Sequence, residues 1–460
     1  MTISLIVPIF NVEKYIEECL NNIVNQTVPF DEVILVDDGS TDDSYGICKE
    51  YSKKFSNIIL IHQDNQGQGK ARNIGIDLAS SDYIMFCDSD DYYNRHICEK
   101  MHQEWEMQDI EVGLFDAVCI YEDGFASEVN PYDRSWIQYK EEMNGEEYFI
   151  ITYPRIHIVS PCLMMLKKEF LIKNNIEFPI GMFYEDNVFF IKILLSAKII
   201  RYMPEKLYYR RYRQGSTMTS AINNKKMNDK IGIIKQIQKL LLEEFQKEGS
   251  GMQMFMSYYW NLYGDFLYEC LENKSLLDKK RWASLIYESY RESSQLWINN
   301  KYSGNSLSIL GEHCLILDLL KKLGVKINDR KYHELRSRYT NKIIKLLTKI
   351  PLQNEKIVVG IYGVGKQTDY LIETYEKLFG KIKCKIIYLE TKVEKGKKYK
   401  SQQVYCIKDI ISELSIIIIS SLRYQDNMIE NVMNTGTNIE IFTLYDKNES
   451  REIKWNLLLE

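Results

Sequence analysis

The stretch from Ile84 to Asp91 constrains the fold of this chain more than any other. Four apolar residues, Ile-Met-Phe-Cys, run directly into Asp-Ser-Asp-Asp. An apolar run of this length between polar residues is typical of a strand that is buried on both faces of a parallel sheet. In an open α/β sheet, ligands bind beyond the carboxyl ends of the strands. The sequence therefore predicts that Asp88, Ser89 and Asp90 leave a buried strand at the mouth of a site.

Asp88 and Asp90 are two residues apart, so on an extended backbone their carboxylates face the same side. Two carboxylates on one side repel each other unless a cation lies between them. Mg2+ and Mn2+ bind oxygen ligands and often combine one or two carboxylates with phosphate oxygens and water. The pattern thus indicates a metal site that holds a diphosphate. A solvated acidic turn is the alternative that so short a motif leaves open.

Three further apolar runs precede this one, and helical segments separate them. Strands are predicted over residues 3–8, 31–36, 58–62 and 84–87, and helices over 12–26, 42–54 and 70–79. Strands and helices that alternate in this way indicate a parallel sheet with right-handed crossovers. The loops after the four strands are polar or rich in glycine, and we expect them to meet at one edge of the sheet.

Length, charge and cysteine spacing limit the class of protein. A chain of 460 residues is too long for one ordinary core, so roughly two to four domains are expected. The net charge of −5 gives no general reason to expect nucleic acid as a partner. The ten cysteines have no metal-binding spacing, and the sequence contains neither a basic signal segment nor a run of 18 apolar residues. We therefore expect a cytoplasmic protein, acting in the cytoplasm or at the inner face of the membrane.

Four motifs follow one another in the first half of the chain. They are Val7-Pro8-Ile9-Phe10-Asn11, Val36-Asp37-Asp38-Gly39-Ser40-Thr41-Asp42, Asn65-Gln66-Gly67 with Ala71-Arg72-Asn73, and Asp88-Ser89-Asp90. In order and spacing this set resembles the family-2 glycosyltransferases over roughly residues 1–220. The resemblance implies a GT-A fold, a nucleotide-diphosphate sugar as donor, and inversion at the anomeric carbon.

The resemblance also implies roles on the donor side of the site. Asp38 matches the position that contacts the base, which favours UDP, although a turn or helix-capping role is open for it. Asp90 is the main expected ligand of Mg2+ or Mn2+, and Asp88 would hold either that ion or the ribose or sugar. The full set of expected donor contacts in these four motifs is Pro8, Phe10, Asn11, Asp38, Asn65, Gly67, Arg72, Asp88 and Ser89.

The segment from Gly181 to Asp186 precedes an apolar helical pattern and ends in the pair Glu185-Asp186. A carboxylate at a helix start is favoured by the helix dipole, so a simple helix cap is one interpretation. Glycosyl transfer to a hydroxyl also needs a carboxylate as general base. In the family that this chain resembles, the Asp of the pair is the base. Asp186 is therefore the predicted catalytic residue, and Glu185 would contact the sugar or the acceptor.

The segment from Leu207 to Met218 is basic and aromatic. By resemblance, Arg211, Arg213 and Ser216 would reach the diphosphate. Its composition alone would also suit nucleic acid, but nothing else in the sequence supports that partner.

The acceptor side of the sequence is less distinctive. Many relatives carry a W-x-K-L pattern where this chain has Cys162 and Met164, and a packed role is predicted for the nearby His157. The expected acceptor is a surface polysaccharide, a teichoic acid or another glycan or polyol-phosphate chain.

The second half changes character twice. Helical periodicity over 223–350 predicts a helical domain or linker, and strands at 356–362, 383–389 and 416–420 predict a small Rossmann-like domain of about three or four strands over 351–460. The expected domains are therefore 1–222, 223–350 and 351–460. The basic segment 342–349 is compatible with peripheral membrane association, and also with a helix packed on its neighbours.

The loop Gly363-Val364-Gly365-Lys366-Gln367-Thr368 keeps two of the three glycines of a dinucleotide-binding loop, and Glu390 stands near the ribose-binding place. An NAD(P)-binding protein is therefore one alternative function. A non-catalytic scaffold in a glycan-assembly complex is another. We favour an accessory or homo-oligomerisation role for this domain.

Overall fold

The computed structural model describes residues 1–105, 109–122, 130–135, 137, 139–152, 158–213, 222–245, 252–272, 278–298, 316–317, 319–327, 337, 350, 352–363, 368, 371–373, 375–376, 380–390, 398–399, 402–419, 428, 432–433 and 439–443. The chain divides into two compact units. The first contains Met1–Phe255, and the second is built from Met256–Glu272 and Asp278–Glu460. The predicted domain boundaries near residues 222 and 350 stay a prediction.

An eight-stranded mixed sheet of order β3-β2-β1-β4-β7-β6-β8-β5 organises the first unit. The strands are β1 (Ile3–Ile9), β2 (Glu32–Asp37), β3 (Ile58–His62), β4 (Tyr83–Phe86), β5 (Tyr92–Tyr93), β6 (Val112–Tyr121), β7 (Met164–Lys167) and β8 (Ile200–Tyr212). The helices are α1 (Ile16–Val24), α2 (Ser44–Lys54), α3 (Gln68–Leu78), α4 (Ile97–Trp105), α5 (Gly145–Thr152), α6 (Lys168–Lys173), α7 (Glu185–Ser196) and α8 (Asn224–Phe245). The four strands predicted for the first half are confirmed, with each end within one residue of its predicted place.

One edge of this sheet collects the loops that matter for function. β1 to β4 are mutually parallel. β7 is antiparallel to β4 and to β6, and β6 is parallel to β8, so β6 and β8 run in the same direction as β4. Six carboxyl ends therefore meet at one edge. Interior residues of these strands, such as Leu5, Ile34 and Ile84, are fully buried.

The backbone from Asp88 to Asp91 is a turn. The Asp91 N–H donates to the Asp88 carbonyl oxygen at 3.0 Å, and β4 has already ended at Phe86. The prediction that Asp88 and Asp90 lie on one side of an extended backbone is therefore wrong. The physical reason is Asp91, whose buried carboxylate accepts the Tyr208 hydroxyl at 2.8 Å and the Arg211 N–H at 2.7 Å. These two bonds draw the chain towards β8, where β5 then pairs.

The second unit contains a six-stranded sheet of order β11-β12-β10-β9-β13-β14, in which only the β11–β12 pair is antiparallel. The strands are β9 (Val358–Tyr362), β10 (Lys385–Glu390), β11 (Lys398–Tyr399), β12 (Gln402–Cys406), β13 (Ile416–Ile419) and β14 (Glu440–Thr443). A second α/β domain is confirmed, but the expected count of three or four strands is wrong. β11 and β12 lack an apolar run because Gln402 and Gln403 are exposed, so the sequence pattern missed them.

The described part of the predicted helical region contains three long helices, α8, α9 (Met252–Glu272) and α10 (Lys279–Ile298), and most of residues 299–350 lie outside the described residues. The basic segment 342–349 lies outside the described residues. Among the helices that the structure describes, none is both long enough and apolar enough to cross a membrane. Each of the nine cysteines in the described ranges is a free thiol.

Candidate active site

A cavity of about 810 Å³ opens at the carboxyl edge of the first sheet, which is a typical size for a small-molecule site. Its walls come from the loops after β1 to β4, residues 160–161, 181–184 and 186, the end of β8, and Lys225 at the start of α8. The cavity brings together Pro8, Phe10, Asn11, Asp38, Asn65, Gly67, Arg72, Asp88, Ser89, Asp90, Asp186, Arg211 and Arg213 from the sequence-predicted set. Glu185 lies next to these residues but is fully buried, and Ser216 and His157 lie outside the described residues.

The loop after β1 provides one wall. Phe10 leaves 47% of its surface exposed beside the cavity, where an aromatic face could stack on a planar ligand group. Asn11 has a left-handed φ of 50°, and its Oδ1 accepts the Thr41 N–H at 2.8 Å. The Asn11 N–H donates to Ser40 Oγ at 3.1 Å. Asn11 therefore ties the loop after β1 to the loop after β2.

Asp38 is buried at the end of β2 and anchors the loop after β3. Its two carboxylate oxygens accept the N–H groups of Gln66 and Gly67, each at 2.8 Å. Gly67 has a φ of 89°, which a residue with a Cβ adopts only with strain. In this structure the carboxylate of Asp38 holds the loop in place. The contact with a base that the resemblance implies stays a prediction.

Arg72, on α3, joins the acidic turn to the start of α7. Its Nη2 donates to Asp88 Oδ1 at 2.8 Å, and its Nη1 donates to Glu185 Oε1 at 2.7 Å. The side chain is only 4% exposed, and the guanidinium lies 5.3 Å from the ring centre of Phe178. Burial lowers the pKa of Arg72, but Asp88 and Glu185 outweigh this effect and raise it above its ordinary value. One buried cation thus fixes two acidic elements relative to each other.

The carboxylates of the turn differ in their electrostatic surroundings. Burial raises the pKa of Asp88, but Arg72 and Arg210 outweigh burial, so the net shift is downward. Burial and the neighbouring Asp88 raise the pKa of Asp90, although Arg213 Nε donates to Asp90 Oδ2 at 2.6 Å. Asp90 is therefore the carboxylate of this pair that an additional cation would stabilise most.

The oxygens of Asp88 and Asp90 suit a hard divalent cation. Burial first and the charge of Asp88 second raise the pKa of Asp90, and a bound cation would oppose both effects. Within the described part of the chain, no group of three or more acidic, histidine or cysteine side chains could hold a metal. A metal at this turn would therefore complete its coordination with ligand oxygens and water. The oxygen donors of this turn fit Mg2+ or Mn2+.

Glu185 and Asp186 begin α7, and they have different access to the cavity. Tyr184, which precedes them, adopts a left-handed φ of 66°, a strained conformation for a residue with a side chain. Asp186 lines the cavity and accepts the Asn187 side-chain N–H at 3.0 Å. Burial raises the pKa of Asp186, and Arg72 and Arg210 oppose this shift. An accessible carboxylate with a raised pKa is suited to accept a proton.

Glu185 does not line the cavity, and its carboxylate is held by Arg72 and Gln68. Gln68 Nε2 donates to the same Oε1 atom as Arg72, at 2.7 Å, while Oε2 is buried with no hydrogen-bond partner in the described structure. Burial raises the pKa of Glu185 to about 7, with Arg72 opposing and Asp186 adding to the shift. Its position favours support of the site over direct contact with a ligand.

The basic residues at the end of β8 have different partners. Arg211 donates to Glu18 Oε2 at 2.7 Å and to the Asp90 carbonyl oxygen at 3.0 Å, so these guanidinium donors are engaged within the protein. Arg210, which sequence reasoning missed, lines the cavity and lies 5.1 Å from the ring centre of Tyr132. Side chains alternate along a strand, so Arg210 shares a face with Tyr208. This alternation could have identified Arg210 from the sequence.

Sequence reasoning also missed the aromatic and basic group formed by Phe183, Tyr184 and Lys225. All three line the cavity, and Lys225 Nζ lies 5.2 Å from the ring centre of Phe183. No local pattern could have revealed this contact because its members come from different elements about 40 residues apart.

The mixed sheet, the acidic turn at its edge and the carboxylate at the start of a facing helix define the class of protein. This is a GT-A domain of a glycosyltransferase. Residues 4–174 match the family model described as Glycosyl transferase family 2. This match over residues 4–174 agrees with the resemblance that the sequence motifs indicated.

Curated relatives share the N-terminal half. Glycosyltransferase GlyG of Streptococcus pneumoniae is 29% identical over 47% of this chain and 72% of its own length. The poly(ribitol-phosphate) beta-glucosyltransferase of Bacillus spizizenii is 31% identical over 45% of this chain and 32% of its own length, so this chain spans about a third of that relative.

A solved structure shares the fold. It is that of S. aureus TarS residues 1–349 in complex with UDP-GlcNAc, which superposes with a TM-score of 0.54 and 24% identity. The superposition covers 70% of this chain and 90% of that one.

Proposed function

We propose that this enzyme transfers a sugar from a UDP-linked donor to a hydroxyl of a teichoic acid or related surface glycan, with inversion at the anomeric carbon. The observation that carries the proposal is the cavity at the carboxyl edge of the first sheet. It unites the acidic turn at Asp88 and Asp90, the cations of β8, and the accessible carboxylate of Asp186.

The choice of donor is supported by the relatives and by the shape of the edge. The TarS structure was solved with UDP-GlcNAc, and its fold matches that of this chain. Phe10 offers an aromatic face beside the loop that Asp38 holds. Arg210 and Arg213 lie on the cavity near the acidic turn, where they would offset the charge of a departing diphosphate.

Asp186 is the proposed general base. The acceptor oxygen forms its bond to C1 of the sugar while the bond from C1 to the diphosphate breaks, and the diphosphate leaves with the bonding pair. The acceptor proton passes to the Asp186 carboxylate. Attack from the face opposite the leaving group inverts C1. The raised pKa of Asp186 increases its strength as a base, while Arg72 and Arg210 favour its charged form.

Asp90, with Asp88, is the proposed protein ligand for Mg2+ or Mn2+. When bound, such an ion would supply positive charge to the leaving diphosphate. If this role is correct, EDTA should weaken UDP binding to the wild type, and the Asp90→Ala variant should lose most of that dependence. Equal UDP affinity with Mn2+ and with EDTA would remove the metal from the proposal.

A donor screen tests the proposed function. UDP-, GDP- and dTDP-sugars are compared by thermal shift with Mn2+, followed by nucleotide release in the presence of glycan and polyol-phosphate acceptors. A true donor at about one hundred times its Kd should stabilise the protein by about 2.7 kcal/mol. The product anomer is then assigned by NMR. The proposal fails if no UDP-sugar binds and none releases UDP, or if the product retains the donor configuration.

The acceptor class is proposed from the relatives, one of which is named for poly(ribitol-phosphate). Peripheral membrane association and homo-oligomer formation stay predictions that membrane flotation and light scattering can test.

A further inference from the structure

The start of α8 places three lysines around the aromatic residues that precede the proposed base. Lys225 Nζ lies 5.2 Å and Lys226 Nζ 5.7 Å from the ring centre of Phe183. Lys230 Nζ lies 4.9 Å from the ring centre of Tyr184. We call these five residues the lysine–aromatic cluster. Lys225, Phe183 and Tyr184 line the cavity, so the cluster adjoins the site.

The cluster is held firmly against the segment that carries the base. The Phe183 N–H donates to Asp229 Oδ2 at 3.1 Å, and Gln236 Nε2 donates to Met182 Sδ at 3.4 Å. Gly232 lies so close to this segment that an added Cβ would be 3.2 Å from Met182 Cε. The lysines on α8 and the residues leading to Asp186 therefore share one fixed geometry.

The charges at the start of α8 are opposite to those that a helix normally favours there. The first turn of a helix is electropositive and is stabilised by acidic residues or bound anions. The first turn of α8 carries no acidic residue, and it contains Lys225 and Lys226. The helix start and Lys225 thus place positive charge beside the cavity, where an anionic ligand would be favoured, and Asp229 is the first acidic residue along α8.

We propose that the lysine–aromatic cluster binds a phosphodiester group of the acceptor, next to the hydroxyl that receives the sugar. This inference rests on the proposed function and specifies its acceptor as a polyanionic polyol-phosphate chain. The cluster belongs to the acceptor side because Phe183 and Tyr184 lead directly into Glu185 and Asp186. The donor-side cations, such as Arg213, pair instead with the acidic turn. Lys225 and Lys230 offset the charge of the phosphate, and the rings pack against the polyol, while Lys226 is only 3% exposed and packs on Phe183.

The test compares acceptors on the full chain. A glycerol-phosphate or ribitol-phosphate oligomer is set against a neutral oligosaccharide, and Lys225→Ala/Lys230→Ala is set against the wild type. The matched control is Lys235→Ala/Lys239→Ala, which removes two exposed lysines from the same helix. We expect the cluster variant to raise KM for the polyol-phosphate by about tenfold or more, since charge-assisted hydrogen bonds are lost. The kcat value, the KM for donor and the activity on the neutral acceptor should change little.

Several results would overturn the inference. One is a polyol-phosphate KM that is equal in the cluster variant and the control. Another is an equal loss on the neutral acceptor, which would assign the lysines a structural role. Direct calorimetric binding of the oligomer gives a readout without turnover, and the absence of any salt-sensitive binding also contradicts the inference.

Failure of the inference is distinguishable from failure of the proposed function. UDP release and the UDP thermal shift are measured on each variant without reference to the acceptor. If these remain normal and neutral glycans are glycosylated as well as polyol-phosphates, only the acceptor assignment is wrong. If no UDP-sugar binds or turns over, the proposed function itself is wrong.

Discussion

The two sheets of this protein have similar interiors and different carboxyl edges. All seven residues of β1 in the first sheet and all four isoleucines of β13 in the second are buried. The parallel strands of the second sheet end at Tyr362, Glu390, Cys406, Ile419 and Thr443, which include one carboxylate and no cation. At the edge of the first sheet, Asp38 and Asp88 lie just after strand ends and the arginines lie near the end of β8, whereas most of the corresponding loops of the second sheet lie outside the described residues. The parallel sheet alone therefore does not determine the function, which depends on the charged side chains at its carboxyl edge.

The loops at the two edges also differ in what holds them. After β3, the loop through Gly67 is fastened by the carboxylate of Asp38 and opens onto a cavity. After β9, Gly363 has a φ of 91°, and its carbonyl oxygen accepts the hydroxyl of Thr368 at 2.9 Å. Thr368 stands at the third glycine position of a dinucleotide-binding loop and is fully buried. NAD(P) binding at this second edge stays an alternative, and the comparison favours the first edge.

The largest expected effect comes from removing the proposed base. Asp186→Asn should lower kcat by about 10²- to 10⁴-fold, because general-base catalysis is lost. UDP binding should stay close to that of the wild type. The same change of acid to amide on the second edge, Glu390→Gln, should leave turnover unchanged. Steady-state UDP release and calorimetric UDP binding measure both variants. If Asp186→Asn loses UDP binding to the same extent as turnover, Asp186 has a structural role. A large loss of turnover in Glu390→Gln would indicate that the second sheet carries the active site.

The next effect in size concerns the buried ion pairs of the first edge. Arg72→Met leaves the fully buried Glu185 without its cation, and breaking a buried pair in this way costs about 3–5 kcal/mol. Lys167→Met is the control because its partner Asp109 is 82% exposed, and such pairs contribute about 1 kcal/mol or less. Chemical denaturation gives both values. A change below about 1 kcal/mol for Arg72→Met would show that Arg72 does not hold the site together.

The same substitution, glycine to alanine, can be made once beside each sheet to test which sheet contributes to UDP binding. In Gly69→Ala, on α3, the new Cβ would overlap the carbonyl oxygen of Pro179, which is backbone and cannot rotate away. In Gly360→Ala, on β9, the new Cβ would lie 2.5 Å from Leu389 Cδ1, at the movable end of a side chain. Each substitution should destabilise the protein by about 1–3 kcal/mol. Only Gly69→Ala should also weaken UDP binding, as measured by calorimetry. Weaker UDP binding in Gly360→Ala would contradict the prediction that UDP binds only at the first sheet.

The smallest expected effect is a change in pH dependence. The pKa of Glu185 is about 7 in the folded state against an ordinary value of 4.5, so the folded state binds its proton more tightly than the unfolded state does. Ionisation of Glu185 therefore lowers the free energy of unfolding as the pH rises from 4.5 to 7. The Tm of the wild type should fall with the free energy of unfolding over this pH range. Glu185→Gln should make the fall smaller, whereas Glu177→Gln, at an exposed site, should not. Parallel Tm curves for Glu185→Gln and the wild type would refute the assignment.

Much of the first sheet was predictable because its strands are marked locally. Each apolar run is short, is bounded by polar residues, and leads into a loop with a recognisable motif. These features follow from burial of the strand and exposure of its end, so they need no knowledge of distant contacts. The same logic predicted that Asp88 and Asp90 lie at the mouth of a site, whereas Asp186 was predicted from the family resemblance, and all three line the cavity.

What the sequence could not predict depends on residues that are far apart in the chain. The shape of the acidic turn depends on Asp91 meeting Tyr208, 117 positions away, and the role of Arg72 depends on Glu185, 113 positions away. Arg211 was expected to reach a diphosphate, yet much of its guanidinium is bound within the protein. Contacts of this kind are set by the packed structure, and no local pattern encodes them.

Hydrogen–deuterium exchange on the full chain, with and without UDP and Mn2+, shows directly which sheet edge binds the nucleotide. Binding at the first edge should slow exchange in peptides that cover residues 8–11, 65–68, 88–91 and 210–213, and should leave exchange unchanged in those that cover 358–363 and 385–390. Protection confined to the second set of peptides would instead place the nucleotide at the edge of the other sheet.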